Sequence, residues 1–214
     1  VRSADDADLT ARARIRDTAI RRWGTDGFGA SVRGIAADAG VSPALLLHHW
    51  GSKDGLRQAC DEYVLDRFAR ETDRMTAQEL ATASAWAILD RDPEFAPLAA
   101  YVRRAVTDER SAGRFWTALV DDTRRWLQQA TAAGRVLPTR DEETRAELLV
   151  VLSLGAQLLA HHLAPPGTPA DRLLAAVSER VTGPALELFT HGLFTDDRLL
   201  QAYLDHRPGE EPRP

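Results

Sequence analysis

The sequence predicts an all-α chain, and three observations carry that prediction. Alanine, leucine and arginine are abundant while tyrosine (3) and phenylalanine (6) are scarce, a composition that favours helix. No stretch alternates apolar and polar residues for long enough to mark a strand. Serine, threonine and aspartate recur just ahead of apolar runs of helical period, where N-caps are expected, twice as Thr-x-x-Glu capping boxes.

The first helix covers 10–24, with Ile15, Ala19, Ile20 and Trp23 on one side. Arg12, Arg14, Arg16, Arg21 and Arg22 occupy much of the rest, a face that is either solvated or turned toward phosphates. Thr25-Asp26-Gly27-Phe28-Gly29 ends this helix, with Phe28 packing beneath. Ser31 then caps a short helix carrying Ile35, Ala36 and Ala39, which stops at Gly40, where a left-handed residue is needed. Val41 points back between helices. Ser42 caps the next helix, and Pro43 fits its first position, where no N–H is required. Leu46 and Trp50, four apart, face inward and leave the other side chains for outer faces. Two short helices across a tight glycine turn have the makings of a helix-turn-helix over 31–50.

Ser52 caps a long helix with Leu56, Cys60, Val64 and Phe68 inward. Lys53 in its first turn opposes the helix dipole and calls for a separate reason, such as a phosphate. Thr76 with Glu79 opens a helix reaching Leu89; Asp92-Pro93 starts another through Phe95, Leu98, Tyr101 and Val102. A further helix holds Phe115, Trp116, Leu119, Val120, Trp126 and Leu127 and ends near Gly134. Thr139 with Glu142 opens a helix whose segment LLVVLSLGAQLLAHHL is apolar almost all round, so more than one side must be covered. It is too short and too polar at Ser153, Gln157, His161 and His162 to span a membrane. A helix with Leu173, Leu174, Val177 and Val181 follows, broken or kinked at Gly183-Pro184. The last helix runs over 195–206, and the tail 207–214 is expected to be disordered.

The stretch 31–56 resembles the DNA-binding segment of the TetR family of bacterial transcriptional regulators. In register with that family's pattern stand Ile35, Ala36, Ala39, Gly40, Val41, Ser42, Leu46, His49, Lys53 and Leu56. Ser31 replaces threonine, Ala44 glycine, Trp50 phenylalanine and Asp54 glutamate, all mild changes. Leu47 is the departure that matters: the family usually places there a tyrosine whose hydroxyl donates to a DNA phosphate. The resemblance implies a three-helix DNA-binding domain over 9–56 and a helical ligand-binding and dimerisation domain over 57–206. It implies a regulator, most often a repressor, released from a palindromic operator by a small apolar effector. It also implies a homodimer built through helices near 140–163 and 169–190.

By position in the family, Arg33, Pro43, Ala44, Leu45 and His48 are the candidates for base edges. Arg33 suits guanine; Ala44 and Leu45 suit thymine methyls. Ser31, Ser42, His49 and Lys53 are the candidates for phosphates, from which Leu47 drops out as a donor. For a ligand pocket the aromatic and polar candidates are Trp86, Phe95, Tyr101, Phe115, Trp116, Trp126, Gln157 and His161, although aromatics at helical spacing more often form plain core.

Charge agrees once it is divided. The chain carries −5 overall, yet residues 1–56 hold eight Lys/Arg against seven Asp/Glu, a net +1, leaving −6 for the remainder. A small basic head on an acidic body is expected of a DNA reader. One cysteine excludes an internal disulfide, and the polar, acidic N-terminus is no secretory signal, so a cytoplasmic, nucleoid-associated protein without a membrane partner is expected. Adjacent His161 and His162 point about 100° apart, a poor chelating arrangement, so neither metal nor cofactor is expected. No glycine-rich phosphate loop or HExxH points to an enzyme. The rival is an interaction protein of the same fold that has lost DNA binding, which only Leu47 favours.

Overall fold

The structure, a computed structural model, describes residues 4–74, 95–163, 165, 167–168 and 170–206. Among them are nine helices and no strand: α1 (Ala4–Asp26), α2 (Val32–Asp38), α3 (Pro43–Trp50), α4 (Lys53–Arg74), α5 (Phe95–Ala105), α6 (Ala112–Ala132), α7 (Glu142–Leu163), α8 (Ala170–His191) and α9 (Arg198–His206). The expected 76–89 helix, Trp86 within it, and the 207–214 tail lie outside the described residues.

The first four helices follow from their caps. The Ser31 and Ser42 hydroxyl oxygens accept from the Gly34 and Leu45 N–H groups, both at 3.1 Å, and Ser52 accepts from Gly55 at 2.9 Å. Helix α2 ends as its sequence predicts. Gly40 sits at φ +64°, its N–H donates to Ala37 O and the Val41 N–H to Ala36 O, the paired bonds of a Schellman stop. An L side chain at Gly40 would be strained.

One core runs from α1 to α7. Ile15, Trp23, Ile35, Leu46, Leu56, Cys60 and Val64 are fully buried on the α1–α4 side, and Phe95, Tyr101, Val102 and Phe115 on the other. Its most extensive packing is α1 against α5. They approach closely because Gly24 has no side chain: a Cβ there would meet Ala100 Cβ and Tyr101 N at 3.1 Å. An aromatic chain crosses the same seam, with Phe28 edge-on to Tyr101 at 5.3 Å and Tyr101 beside Phe115 at 6.2 Å.

Helix α7 packs on α6 through Ala146, Val150, Leu154 and Gln157, while Leu148, Val151, Leu152 and Leu159 lie exposed. The second covered side expected for this helix is therefore uncovered within one chain. Its N-cap differs from expectation. Asp141, not Thr139, receives the Thr144 N–H at 2.9 Å; only the reciprocal half of the anticipated box forms, from the Thr139 N–H to Glu142 at 3.1 Å. Aspartate sits immediately before the first helical residue and, being charged, favours the positive helix end. Helix α8 continues through Pro184 to His191, so no break occurs there. Helix α9 starts at Arg198 rather than 195, because the Asp196 carboxylate takes the Arg198 N–H and Asp197 O the Gln201 N–H.

Val1–Ser178 form one compact unit and Glu179–Pro214 a second, smaller one. In the smaller unit Leu186, Phe189, Leu199, Leu200 and Tyr203 are exposed. Among the described residues no helix is long and apolar enough to cross a membrane.

Candidate nucleic-acid interface

Helix α3 presents the face the sequence assigned to it. Leu46 is fully buried and Trp50 half-buried against the core, which leaves Pro43, Ala44, Leu47 and His48 exposed and Leu45 and His49 half-buried. Ser31, Arg33 and Ser42 are exposed at the starts of α2 and α3. Both serine oxygens are used as caps, and each hydroxyl hydrogen remains able to donate outward. Leu47, 43% exposed, offers only carbon. The structure therefore gathers the ten DNA candidates on and beside one short helix.

Lys53 has a reason for its place besides a phosphate. Its Nζ donates to Gly29 O at 3.4 Å, tying the start of α4 to the α1–α2 turn. Gly55, which the sequence reading passed over, is the tightest spot of the motif. A Cβ there would overlap Trp50 O, so the α3–α4 turn closes only over glycine. The signal was in the sequence, as a glycine in a helical first turn where its propensity is poor.

The arginines of α1 resolve the choice between solvated surface and phosphate grip in a third way. The Arg14 Nε–H donates to Ala39 O, at the end of α2, at 2.8 Å. Arg12 lies over the Trp50 ring, 4.4 Å from its centroid. Arg22 pairs with Asp26 at 3.0 Å and with Asp38 of α2, and those hydrogen bonds and charges raise its pKa further. Arg16 pairs with Asp17 and lies over Tyr63 at 3.5 Å, and Arg21 donates to Thr18. Arg12, Arg14, Arg16 and Arg22 brace α2, α3 and α4 against α1, whereas the Arg21 bond stays within α1.

A buried polar joint links this assembly to α5 and α6. The Arg57 guanidinium lies 3.0 Å over the Phe28 ring and donates to Asp61 at 3.3 Å, Asp108 at 3.2 Å and Ser111 at 2.9 Å. Asp61, 7% exposed, also accepts the Tyr101 hydroxyl at 2.6 Å. Burial, that hydrogen bond and the Asp61 charge together push the Tyr101 phenol well above its ordinary range. Burial does the same to the Cys60 thiol, which suits a packed hydrophobe.

These features are those of known proteins. The profile of the bacterial regulatory proteins of the tetR family matches residues 15–60, and that of the tetracyclin repressor-like C-terminal domain matches 93–195. The HTH-type transcriptional regulatory protein RaaS of Mycobacterium tuberculosis is 36% identical over 210 residues, covering 92% of this chain and 93% of its own. The chain belongs to the TetR family. It is a helix-turn-helix, DNA-binding transcriptional regulator of that family. Two solved structures share the fold of this TetR-family chain. GusR of Salmonella enterica has TM-score 0.56 and 18% identity over 82% of this chain and 95% of its own. A TetR-family regulator from Pectobacterium atrosepticum has 0.53 and 20% over 91% and 99%.

The effector candidates fare differently from the DNA candidates. Phe95, Tyr101 and Phe115 are buried members of the core, and Trp116 and Trp126 are half-buried against it. Gln157 is buried at 7% exposure with no hydrogen-bond partner for its Nε2, and His161 stands exposed one turn later. Burial first, then the Arg103 and Arg104 charges, lower the His161 pKa. Arg103, whose charge acts on His161, is half-buried.

Proposed function

We propose that this regulator is a homodimeric, ligand-responsive repressor of a palindromic operator, working in the cytoplasm at the nucleoid. The observation that carries this is the capped, braced α3 with its exposed outer face. Residues 9–56 act as the reading head and 57–206 as the effector and dimer body. Two heads enter successive major grooves about 35 Å apart. Arg33, Pro43, Ala44, Leu45 and His48 read bases; Ser31, Ser42, His49 and Lys53 hold phosphates, and Leu47 gives up the phosphate its position usually takes.

The dimer forms through helices near 140–163 and 169–190, which the exposed Leu148, Val151, Leu152 and Leu159 of α7 support. An effector bound in the body favours a dimer whose heads are wrongly spaced, and shifts the balance only by its affinity difference for the two states. Helix α4 is the lever, since Arg57 and Asp61 on it touch Phe28, Tyr101, Asp108 and Ser111 together. The protein carries out no catalysis in this reading.

Binding to the chain's own upstream DNA, measured by footprinting over a range of salt, tests the proposal. A repressor protects a two-fold symmetric site and loses affinity steeply as salt rises. An interaction protein of the same fold, the reading that Leu47 favours, protects nothing.

A further inference from the structure

Helix α3 is poor in the groups that read base edges by hydrogen bonding. At about 100° per residue, Ala44 and His48 stand opposite the inward edge of Leu46 and Trp50, with Leu45 on one flank and Leu47 on the other. Pro43, Ala44, Leu47 and His48 are exposed, and Leu45 is half-buried. Of these five side chains only His48 carries a donor or an acceptor. The main chain adds little. Pro43 has no N–H, and Ser42 takes the Leu45 N–H on Oγ at 3.1 Å and the Leu46 N–H on its carbonyl at 3.2 Å. Ala44 supplies the one remaining main-chain donor of that turn.

A carbon surface therefore covers the N-terminal turn, the part of a recognition helix that meets base edges. Pressed against adenine, guanine or cytosine in the major groove, it would strip water from donors and acceptors and pair none of them. That loss carries the full desolvation cost of each group. Thymine alone presents carbon in that groove, its 5-methyl group. A cytosine methylated at the same ring position presents it too. Apolar side chains in this turn thus favour one chemical feature and penalise its absence.

We propose that the first turn of α3 selects 5-methylpyrimidines, and that Ala44 and Leu45 are the specificity-determining residues that meet their methyl groups. This rests on the reading of α3 as the helix in the major groove, and it names the base chemistry that helix recognises. Arg33, exposed in the first turn of α2, and His48 supply the hydrogen-bonding readers that carbon cannot. A half-site then combines thymines read through their methyl groups with a neighbouring edge read by Arg33 or His48.

The test removes methyl groups from the DNA and leaves the protein untouched. The full chain selects its site from a pool of random-sequence duplexes. Each thymine of one half-site is then replaced by deoxyuridine together with its symmetric mate, and affinity is read by fluorescence anisotropy at one fixed salt. Deoxyuridine keeps the hydrogen-bonding edge of thymine and lacks only the methyl. Burying one methyl changes affinity about fourfold, so at least one symmetric pair should weaken binding about fifteenfold. Cytosine at that pair should bind worse than thymine, and 5-methylcytosine should recover about fourfold per methyl over cytosine. Leu45→Ala should shrink the deoxyuridine effect at one pair and Ala44→Gly at a neighbouring one. Glycine is the family's usual residue at 44, so Ala44→Gly serves where Leu45→Ala does not fold. The proposal is overturned if the selected half-site holds no thymine, or if every deoxyuridine pair binds within about twofold of the parent duplex. It is also overturned if 5-methylcytosine binds no better than cytosine, or if the deoxyuridine effect is unchanged in every variant that folds. Those outcomes leave DNA binding itself standing, whereas a pool from which no duplex is enriched refutes the reading of α3 and the proposal together.

Discussion

Replacing Arg57 by methionine keeps an unbranched apolar side chain of similar length and removes the charged guanidinium that lies over Phe28. The guanidinium serves Asp61, Asp108 and Ser111 at 3.3, 3.2 and 2.9 Å. The Arg57 and Asp61 side chains are only 17% and 9% exposed, so this pair is screened little by water. Breaking a buried pair by removing one partner costs about 3–5 kcal/mol. The lower end applies here, because Asp61 keeps the Tyr101 hydroxyl at 2.6 Å and Arg114 at 3.9 Å. For a chain of this length a loss of about 3 kcal/mol lowers the melting midpoint by roughly 6–12 °C. Circular dichroism at one fixed protein concentration measures it, since dimer dissociation would otherwise enter. Adding Asp61→Asn to Arg57→Met removes both charges, and the pair should cost less than the sum of the singles by about 1 kcal/mol. A loss below about 1 kcal/mol for Arg57→Met, or singles that add within about 0.5 kcal/mol, would refute the joint as a coupled buried network.

Three further outcomes follow from the same geometry. Leu47→Tyr restores a phosphate donor on an exposed position of each head. At about 0.5–1.5 kcal/mol per bond it should tighten a dimer roughly five- to 150-fold on every operator variant alike. A changed order of preferred bases would misplace residue 47. Gly55→Ala puts a methyl group against Trp50 O. The resulting shift of the α3–α4 turn should cost about 1–3 kcal/mol and weaken operator binding, against a helix-propensity gain of about 1 kcal/mol; an unchanged melt and affinity would sink the idea. Tyr101→Phe should change the alkaline limb of the stability profile. The folded phenol holds its proton above its ordinary value of about 10, so its contribution is complete below that pH and declines as pH rises beyond it. Denaturant midpoints taken across about pH 9–11 should fall less steeply in Tyr101→Phe than in the parent, and equal slopes would contradict the assignment.

What could be seen in the sequence was local. Ser31, Ser42 and Ser52 as caps, Gly40 as a stop, and Ile35, Leu46 and Trp50 as the inner face depend on spacings of three or four residues, which sequence displays directly. Distant partners were not visible. Arg14 finds Ala39 O twenty-five residues away and Arg57 finds Ser111 fifty-four away, and no periodicity encodes either pair. In sequence the capping-box pattern points to Thr139 over the lone Asp141. In the chain, the residue directly before the helix wins. The effector candidates illustrate the same limit, since helical spacing does not separate an aromatic of the core from one that lines a pocket, and Tyr101 and Phe115 are both buried.

The occupied arginines of α1 also decide how strongly salt should act on DNA binding. If all five gripped phosphates along with Lys53, two heads would neutralise about twelve phosphates, and log K would fall with log salt at a slope of about −11. The exposed Arg21 bonds only Thr18 of its own helix, but Arg12, Arg14, Arg16 and Arg22 are committed to Trp50, Ala39, Asp17 with Tyr63, and Asp26 with Asp38. Withdrawing them costs the brace that orients α3. Lys53 is the exception, since its 3.4 Å bond to Gly29 O is long enough to exchange for a phosphate. Lys53 and at most Arg21, on two heads, give about two to four phosphates and a slope of about −1.8 to −3.6. The neutral donors Ser31 and Ser42 add affinity without adding slope. A measured slope steeper than about −8 would mean that the α1 arginines leave their partners on binding, and that the brace belongs to the unbound state only.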